Sequence, residues 1–143
     1  MQPKIVEWPH VKQWTGATPP WVDEGRPCMV LTARMVYRTA AGQLIIVPAG
    51  YVTDLASIPR FLWSVLPPHG ELMTAAILHD WLCSHGGGLL GVPRSYADGL
   101  FKQCAGLYPV TPWKRKASYR AVRVCGRGGW VNGWHTWPEP ITA

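Results

Sequence analysis

Charge is scarce in this chain, with 14 basic and 8 acidic residues among 143. Acids are missing altogether between Asp98 and Glu139. No apolar run approaches the ~18 residues of a membrane span, so none is expected. Met1 to His10 lacks the apolar centre of a signal peptide, because Trp8-Pro9-His10 interrupts it. No Cys-x-x-Cys pair exists; Cys28, Cys83, Cys104 and Cys125 stand singly. A zinc ribbon or redox dithiol is therefore unsupported, and small buried reduced thiols are expected. There is no Gly-x-Ser-x-Gly elbow and no internal repeat.

What is present is a core. Apolar residues make up 48% of the chain, which excludes a disordered protein and fits one domain. Tryptophan is abundant at nine, and Trp8, Trp14, Trp21, Trp134 and Trp137 are among those in the Pro-rich ends. Aromatics in terminal arms imply docking, on the arms' own domain or on a neighbour. The acid-free stretch holds Lys102, Lys114, Arg115, Lys116, Arg120, Arg123 and Arg127. Such a region suits an acidic neighbouring subunit, an anionic envelope polymer or nucleic acid. Arg123 and Arg127 fall near the C-terminus of an expected helix, where cations are favoured anyway. Nucleic acid is therefore placed behind an acidic protein partner.

The pattern divides into an irregular N-terminal arm (1–27), an α+β domain (28–127) and a Trp/Gly/Pro-rich tail (128–143). Cys28 to Arg38 is β-rich, Ala40-Ala41-Gly42 is a tight turn, and Gln43 to Val47 completes a hairpin. Tyr51 to Thr53 forms a short third strand that delivers Asp54 at its end. Four helices are expected. Ser57 caps the first, which runs to Leu66 with Pro59 in its opening turn. The second spans Glu71 to Ser84 and ends at Gly86-Gly87-Gly88, the third spans Pro93 to Leu107, and the fourth runs from Thr111 to Cys125. The expected architecture is α+β: a small antiparallel hairpin or three-stranded sheet on about four helices, with irregular arms at both ends.

The chemistry concentrates in one window. Asp54, Ser57, Arg60, His79 and Asp80 lie among Leu, Ile, Phe, Trp and Ala. Buried polar groups need partners, so these residues are expected to meet at the sheet–helix junction, with Asp98 joining them. His79 sits on the apolar stripe of its helix and points inward. Asp80 lies roughly 100° further round, too far to share one small ligand with it. Two readings follow. Asp54, His79 and either Asp98 or Asp80 have the ligand types for a divalent metal such as zinc, leaving a water to attack a bond. Alternatively Ser57, Arg60 and Asp80 form an internal brace with no chemistry. Ser57 is explained as a helix cap, and the brace ranks first on the residues alone.

Four blocks occur in order: Thr53-Asp54-Leu55-Ala56-Ser57-Ile58-Pro59-Arg60, then Pro67-Pro68-x-Gly70, then Ala75-Ala76-x-x-His79-Asp80-x-Leu82, then Arg94-x-x-x-Asp98-x-x-Phe101. Over about residues 45–125 they resemble a small family of tailed bacteriophages and prophages, the domain of unknown function 1353 family. The resemblance implies a phage origin and no particular activity. A virion-associated component of the tail, tail tip or connector is then expected, touching other phage structural proteins through its Trp-rich arms. It would reside in the virion or the host cytoplasm. The alternative is a metal-dependent peptidoglycan hydrolase or lysis accessory built on Asp54, His79 and Asp80.

Overall fold

Alternating residues around Trp8-Pro9 make two short strands, β1 (Lys4–Glu7) and β2 (His10–Gln13). The computed structural model describes residues 1–22, 27–54, 71–107, 112, 113 and 116. Beyond the N-terminal pair come β3 (Met29–Ala33), β4 (Met35–Arg38), β5 (Leu44–Val47) and β6 (Val52–Thr53). The expected single strand from Cys28 to Arg38 is thus two strands, parted at Arg34. Opposite that break the N-terminal segment is parted too, at Trp8-Pro9, where proline can donate no ladder hydrogen bond.

Among the described residues two three-stranded antiparallel sheets result, ordered β1-β4-β5 and β2-β3-β6. Ile5 stands opposite Tyr37, and Lys12 opposite Val30. Across the break Arg34 forks onto Glu7, with Nε donating to Oε2 at 2.9 Å and Nη2 to Oε1 at 2.8 Å. The pair is solvent-exposed, so it steers the break more than it stabilises the fold. The β4–β5 turn closes by Thr39 accepting from Gly42 N–H at 2.9 Å. Gly42 adopts φ +87°, a conformation open to glycine and strained for other residues.

The expected irregular arm over residues 1–27 is therefore corrected, since it supplies one edge strand to each sheet. Short polar-flanked runs such as His10–Gln13 carry little strand signal by themselves; their partners β3 and β4 make them strands. The expectation of one small sheet on about four helices is corrected with it. Among the described residues two long helices, α1 (Glu71–Trp81) and α3 (Arg94–Ala105), meet the sheets. The helix expected over 57–66 lies outside the described residues. So does that of 111–125, apart from Pro112, Trp113 and Lys116, which are helical.

Helix α1 is buried on nearly every side: Thr74 through His79 are at most 1% exposed. A helix apolar all round belongs at the centre of a fold, and the single expected stripe understated it. Nor does it stop at the glycines. It widens into a π-helical turn, Leu82–Gly86, and continues as α2, Gly87–Leu90. Ser84 offers the physical cause, because its hydroxyl bonds back to the carbonyl of Asp80 at 2.8 Å. Such a side-chain bond competes with the backbone ladder at that level. Helix α3 matches its expected span within two residues and buries Ala97, Leu100, Phe101 and Cys104 as its pattern implies.

The main core joins Ile5, Tyr37, Ile45, Val47 and Tyr51 to α1 and α3. Tyr37 donates to Gln103 Oε1 at 2.8 Å, and Tyr96 on α3 donates to Gln43 Oε1 at 2.9 Å. Sheet and helix are fastened at both ends of the hairpin turn. A second, smaller core of Val22, Cys28, Val30 and Val52 lies beneath Trp14 and Trp21.

Candidate functional site

His79 enters the core from the ninth position of α1, where the helix faces α3. Its Nε2 lies 2.7 Å from Asp98 Oδ1, with the two side chains 2% and 1% exposed. A carboxylate only accepts, so the imidazole donates through Nε2. Arg94, one turn before Asp98 on α3, brings its Nε to 3.7 Å from Oδ2. Phe101 presents its ring at 81° to the imidazole, with centroids 5.9 Å apart. The pair is thus walled by apolar groups and steadied by one cation.

Cys83, one turn after His79, places its sulfur 3.6 Å from Nδ1 and 3.7 Å from Nε2. Thiol, imidazole and carboxylate are the three groups of a thiol hydrolase, but the geometry differs. An atom on the Nδ1 lone-pair axis would lie much further from Nε2, so the sulfur stands against the ring. Burial first, then the carboxylates of Asp80 and Asp98, push the Cys83 thiol well above its ordinary range. A neutral, buried thiol is a poor nucleophile.

Asp80 turns the other way. Thr53 at the end of β6 donates to its Oδ2 at 2.5 Å. Its backbone carbonyl accepts from Ser84, whose hydroxyl also lies 2.8 Å from Tyr51 Oη and 2.7 Å from His85 Nδ1. Tyr51 is fully buried, and that burial, followed by the charge of Asp80, holds its phenol proton far above the usual range. His85 stacks on Trp81 at 4.9 Å and meets the edge of Trp21 at 4.7 Å. Trp21 in turn donates its indole N–H to the Val52 carbonyl at 2.7 Å. One N-terminal tryptophan therefore docks on its own domain.

Of the expected cluster, the structure unites His79 with Asp98 and carries Asp80 to Thr53, in a separate network. Asp54 is half-buried at the end of β6. Ser57 and Arg60 lie outside the described residues. Tyr51, Ser84 and His85 were not among the expected site residues, although Ser84 stands four residues after Asp80, at helical contact spacing.

The proposed metal set of Asp54, His79 and Asp98 gains no support from this geometry. Among the described residues no group of three or more His, Cys, Asp or Glu is placed to hold a metal ion. His79 and Asp98 already touch at 2.7 Å. Two ligands around one zinc, each ~2.0–2.2 Å from it in tetrahedral array, stand further apart than that.

The described residues define two small antiparallel sheets around a buried helix with an internal imidazole–carboxylate brace. The chain belongs to the family described as "Protein of unknown function (DUF1353)", whose model matches residues 29–122. The match takes in β3 through α3 and every residue of both polar networks except Trp21. It is 30% identical over 104 residues to "Uncharacterized protein y4jT" of Sinorhizobium fredii (strain NBRC 101917 / NGR234). That alignment covers 71% of this chain and 30% of the relative, so the chain spans under a third of the relative's length. No solved structure matches it significantly.

Proposed function

We propose that this chain is a virion-associated component of a phage-derived particle, in its tail, tail tip or connector, and that it acts by docking. The observation that carries this reading is a contrast. The polar residues gathered around His79 and Asp80 engage partners inside the fold, while Val6, Trp8, Leu44 and Ile46 stand 41–54% exposed. Exposed aliphatic and aromatic groups grouped on a surface mark protein contacts. The four-block resemblance supports a phage origin. The basic stretch from Lys114 to Arg127 suits an acidic neighbouring subunit. No helix among the described residues is long and apolar enough to cross a membrane.

The second reading is the metal-dependent envelope hydrolase, to which the neutral, buried thiol beside His79 and the lack of a three-ligand group among the described residues lend no support. Metal analysis and digestion of purified cell-wall sacculi separate the two. A metal-free protein that leaves sacculi intact, yet is needed for particle assembly, supports docking. Stoichiometric zinc, lost in His79→Ala together with release of peptidoglycan fragments, supports hydrolysis and overturns the docking reading.

A further inference from the structure

We propose that the outer edge of β5, unpaired among the described residues, is the seat of a homodimer, in which a second copy adds its own β5 antiparallel. The two three-stranded sheets then join as β1-β4-β5 against β5-β4-β1. This inference stands on the sheet edges and does not depend on the phage reading.

The two sheets have four edge strands, and three carry the usual protection against strand addition. β1 holds Lys4 and Glu7, and its register is broken between Ile5 and Glu7. β2 exposes His10, Lys12 and Gln13 and has a shift between His10 and Val11. β6 is two residues long. β5 has none of these devices. Its sequence is Leu44-Ile45-Ile46-Val47, uncharged, without proline or glycine, and in unbroken register with β4 from Met35↔Val47 to Arg38↔Leu44. Among the described residues β4 alone pairs with it.

The side chains point to a second copy as the occupant. Ile45 and Val47 face the core, whereas Leu44 and Ile46 face outward, 54% and 48% exposed. A two-fold axis normal to the sheet sets Ile45 opposite Ile45 of the second copy. Leu44 of each copy then falls opposite Ile46 of the other on the same face, and the four aliphatics pack side by side. Opposed aliphatic pairs of this kind stabilise a sheet. An isologous contact needs such a self-complementary patch. Charge agrees: the chain carries a net charge of +6, yet the β5 edge is neutral. The nearest cation on that face, Arg38, lies across from Leu44 on β4, so the two copies of Arg38 fall at opposite ends of the seam.

Sedimentation velocity on the full chain, from low to high micromolar, tests this beside Ile46→Lys and Val6→Lys. The expected result is a dimer for the parent and for Val6→Lys, and the monomer mass for Ile46→Lys, whose melting curve matches that of the parent diluted until it is monomeric. Amide exchange of the parent gives a second readout that needs no variant: the amides of Leu44 and Ile46, which alternate away from β4, should slow as concentration rises. A dimer that survives Ile46→Lys, or one lost equally in Val6→Lys, overturns the proposal. So does a parent that stays monomeric. Protected Leu44 and Ile46 amides in such a monomer would assign the edge to another segment of this chain, and unprotected ones would leave it to a different protein.

Discussion

His79 donates to Asp98 across 2.7 Å, and the bond ties α1 to α3 inside the core. Removing either partner strands the other in an apolar wall. Asp98→Ala and His79→Ala should each destabilise the fold by about 3–5 kcal/mol, the range for a broken buried pair. Asp98→Asn keeps an acceptor and should cost about 1–2 kcal/mol. Urea unfolding of the three variants and the double alanine variant gives the coupling. Curves that overlay the parent would show that the pair does not brace the helices.

Alkaline pH should reveal the buried phenols. Burial is the main cause that raises the Tyr37 and Tyr51 phenols above their ordinary range. Below pH ~10 both folded and unfolded chains keep these protons, so the stability of the buried phenols is fully present. Above pH ~10 the unfolded chain ionises first, and stability falls as pH climbs toward the folded values. Tyr37→Phe loses the bond to Gln103, about 1 kcal/mol at neutral pH, and should show a shallower alkaline decline. An unchanged slope would mean that Tyr37 ionises freely in the folded state.

Gly86 holds a close approach. A Cβ there would stand 2.6 Å from Trp81 Nε1 and 2.8 Å from its Cδ1. Trp81 is 4% exposed and caught between Tyr51 and His85, so the indole has little room to give. Gly86→Ala should therefore destabilise by about 1–3 kcal/mol, the cost of overpacking, and change the near-ultraviolet circular dichroism of the tryptophan. A variant as stable as the parent, with an unchanged aromatic spectrum, would place Trp81 elsewhere.

The helices were legible in the sequence where period and capping agreed. Ala97, Leu100, Phe101 and Cys104 announce α3, and the β4–β5 hairpin follows from the Ala40-Ala41-Gly42 turn. The inward His79 and its meeting with Asp98 were also legible, because an isolated imidazole on an apolar stripe needs a polar partner. The N-terminal strands were not. Lys4–Glu7 and His10–Gln13 alternate too briefly to stand out, and only pairing with β4 and β3 makes them strands. The π-helical turn was equally hidden. It depends on the Ser84 hydroxyl reaching back to Asp80 and on Trp81 lying against Gly86, contacts between residues that local propensity treats as a helix end. For that reason the second network, Thr53-Asp80-Ser84-His85, was missed.

The most direct measurement of the docking role is quantitative mass spectrometry of washed particles from a producing bacterium, with the parent chain and with the exposed-face variant Val6→Lys/Trp8→Ser. A docking component should appear at a fixed ratio to the other structural proteins with the parent chain. The variant, folded but altered at the surface, should be depleted. Particles that form normally and contain none of the parent chain would contradict the account.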